Sequence, residues 1–161
     1  MRLIKLALIS AVVFFGLLMA ITALMPSQVR ISRAVDIKAP ADSVQKLLAR
    51  LDSWEQWNGY VKLLADKTTS PTAIYSPELQ IMLISESDTT IRTQWVQASG
   101  KAFPGVFNII RHENGATVQW YFDFRIKWYP WDKLGSIIYD KQIGPVMQTS
   151  LAALKEMAES R

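Results

Sequence analysis

From Leu6 to Met25 the chain carries no charged residue, and only Ser10, Gly16 and Thr22 interrupt the apolar run. A helix over this stretch rises about 30 Å, the depth of a bilayer hydrocarbon core. Arg2 and Lys5 precede it, and Pro26 with Ser27 closes it. The run has no polar face, which argues against a core helix of a soluble domain. A cleaved signal peptide has a shorter apolar core and small residues at −3 and −1 of the cut. Ala20 and Ala23 are present, but Leu24, Met25 and Pro26 leave no A-x-A at the edge. The expectation is an uncleaved, single-pass membrane anchor over residues 1–27. Arg2 and Lys5 before the run are balanced by Arg30, Arg33 and Lys38 after it, so the positive-inside rule gives no large asymmetry. A very short basic N-terminus usually stays cytoplasmic, which puts the following domain on the extracytoplasmic (periplasmic) side.

Residues 28–161 have the patterns of a water-soluble domain. Val29, Ile31, Val35 and Ile37 alternate with Arg30, Ser32, Ala34, Asp36 and Lys38, the period of a half-buried strand. Arg33 falls on the apolar face. Ala39-Pro40 ends the strand, and Pro40 and Asp42 suit the first turn of a helix. Val44, Leu47, Leu48 and Leu51 give that helix one apolar face. Asp52-Ser53-Trp54-Glu55 reads as a capping box opening a second short helix, which Asn58-Gly59 stops. After a loop to about Ser76, strands are predicted from Leu79 to Ser85, Thr89 to Gln97 and Lys101 to Arg111. Pro104-Gly105 marks a bulge or an edge, and Glu113-Asn114-Gly115 a tight turn.

Val118, Trp120, Phe122, Phe124, Ile126 and Trp128 then share one face of a strand, opposite Gln119, Tyr121, Asp123, Arg125 and Lys127. Leu134, Ile137 and Ile138 suggest a first helical piece, and Gly144-Pro145 a break. Met147, Leu151, Leu154 and Ala158 form the stripe of a terminal helix. A one-faced sheet and a one-striped helix bury each other most simply when the helix crosses the concave face. The expected fold is therefore α+β helix-grip: a curved antiparallel sheet wrapped around a long C-terminal helix, behind one transmembrane helix.

Composition narrows the chemistry. With no Cys and one His in 161 residues, a disulfide framework, a thiolate metal site, a Cys nucleophile and a two-His mechanism are excluded. No GxGxxG or GxxxxGK[ST] occurs. Once Arg2 and Lys5 are set aside, 16 basic residues face 14 acidic ones with no basic stripe, so the pI of 9.4 does not signal nucleic acid. No metal, cofactor or catalytic set is expected.

Four short stretches together resemble the SRPBCC (START-like, polyketide cyclase/dehydrase-like) superfamily. Val35 to Val44, with its Ala39-Pro40, is similar to that family's opening strand and helix. Trp54-Glu55-Gln56-Trp57-Asn58 resembles its Trp-x-x-Trp, Gly115 to Trp120 its late-strand Gly-x-Thr, and Leu151 to Lys155 its closing Leu-x-x-Leu-Lys. Gln45, where many members are aromatic, and Gly59, where Pro is frequent, depart from the pattern. An N-terminal membrane helix is familiar among bacterial members. The resemblance implies a helix-grip fold with a hydrophobic cavity whose ligand differs among members. It carries no shared catalytic residue.

Trp95, Trp120, Phe122, Phe124 and Trp128, on one sheet face, are either plain core or the lining of a cavity for an apolar ligand. Trp57, with Trp54 and Tyr60, either closes one end of that cavity or packs a short helix. Arg33 either anchors an acidic head group, pairs with an internal carboxylate or sits at the rim. His112 lies beside a hairpin turn and is read as surface. Three functions follow: a membrane-anchored binding domain for a hydrophobic small molecule or lipid, a cyclase- or hydratase-like enzyme using Arg33, Tyr75 or Tyr139, and a scaffold whose core is filled by its own aromatics. The first is expected, with the ligand bound by Trp95, Trp120, Phe122, Phe124, Trp128, Trp57 and Arg33.

Overall fold

The apolar N-terminal run forms one helix, α1 (Arg2–Leu24), in a computed structural model that describes residues 2–24, 26–131, 133 and 138–160. Only 6% of its most apolar window is buried, and its mean hydropathy there is 2.5. It is long and apolar enough to cross a membrane, and it is not a core helix of the domain.

Strand β1 (Gln28–Ile37) starts almost directly after α1. Helix α2 (Ala41–Ala49), a 3-10 turn (Leu51–Gln56) and the short α3 (Gly59–Leu63) follow. Six more strands come next: β2 (Thr68–Thr69), β3 (Ala73–Tyr75), β4 (Leu79–Glu86), β5 (Thr90–Gln97), β6 (Ala102–His112) and β7 (Gly115–Arg125). They make one antiparallel sheet in the order β1-β7-β6-β5-β4-β3-β2. The terminal helix α4 (Tyr139–Glu159) packs chiefly along β1, with α2 and α3 beside it. Its buried stripe of Met147, Leu151, Leu154 and Ala158 meets the inward-facing residues of the sheet. The α+β helix-grip architecture is present as the patterning predicts.

Some local expectations are corrected. No capping box forms at Asp52-Ser53-Trp54-Glu55; the Ser53 hydroxyl instead donates to the carbonyls of Leu47 and Arg50. Asn58 ends that turn and caps the next helix, its Oδ1 accepting from the amides of Tyr60 and Val61. Strands β2 and β3 are too short to show a period. Helix α4 runs through Gly144-Pro145 without a break. Gly144 packed under Arg33 on one side and buried Met147 on the other hold one axis, at the cost of one helical hydrogen bond. Leu134 and Ile137 lie outside the described residues.

Trp128 is the main correction. It does not lie on the inner face: β7 stops at Arg125, and Trp128 is 63% exposed. The reason is pairing. Gln28↔Arg125 is the last register pair with β1, the Ile126 amide donates to the Ser27 carbonyl, and β1 begins at Gln28. With no partner strand left, β7 cannot continue.

Candidate functional site

The inner face of the sheet is aromatic and closed. Trp54, Trp57, Trp95, Trp120, Phe107 and Phe122 are at most 2% exposed. Their rings meet one another directly: Phe107 stacks on Trp120 at 4.9 Å, and Trp95 meets Phe122 edge-on at 5.0 Å. Tyr60 stands edge-on to Trp95, Trp120 and Phe122, and its hydroxyl donates to the Ile143 carbonyl of α4. Burial pushes the Tyr60 phenol well above its ordinary pKa, so it is a fixed donor and not a base at neutral pH.

Sequence and packing agree at Gly105. A Cβ there would lie 2.7 Å from Trp95 Nε1 and 2.8 Å from Phe122 Cε1. Glycine lets both rings close over the strand, and the Thr93 hydroxyl, which donates to the Gly105 carbonyl, accepts from the Trp95 indole. Trp57 Nε1, Trp120 Nε1 and Asn58 Nδ2 are buried without a protein acceptor. Such donors mark positions for buried water or for a ligand acceptor.

The open space lies elsewhere, at one end of the sheet. The β6–β7 register runs from His112↔Gly115 to Gly105↔Phe122 and ends there. Beyond that point β6 stays with β5 as far as Val96↔Ala102, while β7 stays with β1 to Gln28↔Arg125. Strands β6 and β7 therefore part at Pro104, which has no N–H for either neighbour. A cleft of about 940 Å³ occupies the parting, within the range of small-molecule sites. Its apolar wall is Phe103, Phe124, Ile126 and Tyr139, with the Phe103 and Phe124 rings 4.9 Å apart. Its rim carries Gln28, Gln94, Lys101, Asp123, Arg125 and Lys127.

Charge on this rim is uneven. Asp123 is held by Arg30 through two hydrogen bonds of 2.7 and 2.8 Å, and this contact raises the arginine pKa further. The pairing leaves Lys101, Arg125 and Lys127 as the excess, which suits a ligand with an acidic end. Lys101 Nζ donates to the Tyr139 hydroxyl at 3.2 Å inside the cleft.

Of the seven residues expected to bind ligand, Phe124 alone lines this cleft. Trp57, Trp95, Trp120 and Phe122 fill the closed cluster, and Trp128 is outside both. Arg33 faces inwards as the alternation predicts. Its guanidinium reaches Asp140 at 2.9 Å and lies where a side chain on Gly144 would be. It clamps β1 to α4, but its partner is a surface carboxylate, 58% exposed, and not the internal one expected; Arg33 sits at the rim of the core. Ile126 stands on the predicted inner face and Tyr139 is an acid/base candidate in the sequence, but neither is expected to bind ligand; for Phe103 and Lys101 the signal in the sequence is Pro104-Gly105 within a strand.

No protein-family model matches the chain, and no curated protein sequence is similar to it. Solved structures are similar in fold. A protein of unknown function from Staphylococcus aureus aligns with a TM-score of 0.62 and 9% identity, covering 83% of this chain and 97% of that one. The di-domain ARO/CYC protein StfQ of the steffimycin biosynthetic pathway gives a TM-score of 0.60 and 13% identity over 83% of this chain and 51% of that one. DynU16, a protein of the dynemicin biosynthetic locus, gives 0.56 and 15%, over 82% and 49%. The fold is thus shared with a di-domain ARO/CYC protein and with a protein of unknown function.

Proposed function

We propose that this protein is a membrane-anchored binding protein for a hydrophobic small molecule or lipid with an acidic end, held in the cleft between β6 and β7. One observation carries the reading: the cleft is tied to the end of the apolar helix. Gln28, on the cleft rim, is three residues past Met25, and the amide of Ile126, in the cleft wall, is bonded to Ser27. Three residues of chain reach about 10 Å at most. With α1 across a bilayer, the cleft opens within that distance of the surface, where apolar ligands partition. The ligand's body packs on the edges of Phe103, Phe124 and Ile126, which the domain already buries to 8%, 4% and 8% exposure, so its own apolar surface leaving water supplies most of the gain at about 25 cal/mol per Å², and Lys101, Arg125 and Lys127 face its acidic end. The domain stands on the extracytoplasmic side.

The test uses the full chain in phosphatidylcholine nanodiscs with a fluorescent fatty acid as probe. Saturable binding is expected, reduced about tenfold by Phe124→Ala, the weakening that follows from losing a phenyl contact of about 1.4 kcal/mol. Binding unchanged by Phe124→Ala, or no binding, sinks the reading and leaves the scaffold function that the closed aromatic cluster favours. A reporter fused to Arg161, active only outside the cytoplasm, tests the sidedness.

A second reading rests on Tyr139. A cyclase- or hydratase-like step needs an acid or base at the ligand, and the Tyr139 hydroxyl beside Lys101 is the group so placed. Tyr139→Phe then abolishes turnover of the recovered ligand while leaving its affinity within about threefold; equal loss of both leaves Tyr139 a binding residue.

A further inference from the structure

The segment that follows β7 reads Lys127-Trp128-Tyr129-Pro130-Trp131. Trp128 is 63% exposed and Trp131 64%, although both have the bulk of core residues. The three rings form a ladder: Trp128 lies 4.7 Å from Tyr129, and Tyr129 stacks on Trp131 at 5.1 Å with planes only 6° apart. Two large exposed indoles in one ordered stack need a medium other than water to cover them. Indoles suit the bilayer–water boundary, where an apolar ring and a hydrogen-bonding N–H are both satisfied.

A second, independent contact places the stack at that boundary. Lys133 Nζ donates to the Thr22 carbonyl of α1 at 2.7 Å, and both residues are buried by the contact. Thr22 lies one turn before the end of the apolar run at Met25. With α1 across a bilayer, this carbonyl is at interface depth, and the buried Lys133 ties the segment that follows the stack to that depth. The stack begins five residues before Lys133 and two residues after Ile126 of the cleft wall.

We infer that Trp128, Tyr129 and Trp131 insert into the interfacial layer of the same bilayer that α1 crosses, forming a second contact that fixes how the domain sits on the membrane. The helix alone is a single axis about which the domain could rotate. A second contact removes that freedom and turns the cleft wall at Ile126 towards lipid. The occupant is a lipid surface, because the exposed stack lies within five residues of Lys133, which is bonded to the apolar helix at Thr22. This rests on the anchor reading given above.

The test places the full chain in nanodiscs of phosphatidylcholine brominated near the head group or deep in the acyl chain, and reads tryptophan emission. Trp54, Trp57, Trp95 and Trp120 are buried in the domain, so two of six tryptophans are available for quenching. About a third of the emission is therefore expected to be lost with shallow bromine and much less with deep bromine. Trp128→Phe and Trp131→Phe should each remove part of this quenching, and the double variant nearly all of it, with unchanged circular dichroism and Tm. Quenching equal in the double variant and the natural chain, or absent in both, overturns the inference. Alkaline carbonate extraction of membranes separates the two readings. A chain that stays in the membrane without shallow quenching loses only the interfacial seat, whereas a chain released by carbonate loses the anchor and the seat together.

Discussion

Three glycines show how single residues set the packing, and they should rank differently when given a methyl group. Gly115 has φ +148° and its Cβ would meet the Ile37 carbonyl oxygen, a backbone atom that cannot move aside. Gly105 would press on the Trp95 and Phe122 rings. Gly144 would meet the far end of Arg33, which can swing away. Urea denaturation should therefore give Gly115→Ala as the most costly, Gly105→Ala about 1–3 kcal/mol, and Gly144→Ala under about 1 kcal/mol. A Gly144→Ala cost above that of Gly105→Ala contradicts the packing described.

Tyr60 gives a prediction in pH. Its folded pKa lies above the ordinary 10.0, because burial penalises the phenolate. Below pH 10.0 both folded and unfolded chains hold the proton, so stability is unaffected. Above it the unfolded chain ionises first and stability falls as pH rises. Tyr60→Phe should be less stable near neutrality, through loss of the bond to Ile143, yet lose less on going from pH 9 to pH 11 (about two units around that ordinary value). Parallel losses in the two proteins would show that other groups govern the alkaline limb.

Among the elements, β6 and β7 divide their work along their length. Where they pair, from Gly105↔Phe122 onwards, they carry the closed aromatic cluster; where they part, they hold the cleft. Truncating a side chain should report which region it belongs to. Trp120 touches Trp57, Tyr60, Trp95, Phe107 and Phe122, so Trp120→Ala should cost about 3–5 kcal/mol by chemical denaturation. Phe124 borders the cleft, and Phe124→Ala should cost clearly less, because the space it leaves is continuous with open volume. Equal costs would mean that the cleft is closed in solution.

At the scale of the molecule, α1 and the helix-grip domain present opposite surfaces. The helix shows apolar side chains all round, with Leu3, Val12, Phe14 and Leu24 each more than 60% exposed. The domain's core cluster draws on no residue of α1. A chain beginning at Pro26 is therefore expected to fold with the same cooperative melt and circular dichroism, while losing membrane sedimentation. Aggregation or non-cooperative melting of that shorter chain would show that the domain depends on α1.

The sequence by itself determined the elements that have a strong period. Leu6–Met25, the alternation of Val118 to Phe124 and the Met147–Ala158 stripe each bury or expose a whole face, and the energy of a whole face outweighs local detail. It also carried the turn at Glu113-Asn114-Gly115, since the backbone there demands glycine. Tertiary structure alone decided where that periodicity stops. Trp128 continues the apolar alternation of β7 perfectly, but a strand needs a partner, and β1 has none to offer beyond Gln28. It likewise decided which aromatic residues border open space. Packing rings against one another and lining a cleft use the same residue types, and only the parting of β6 from β7 at Pro104 separates the two.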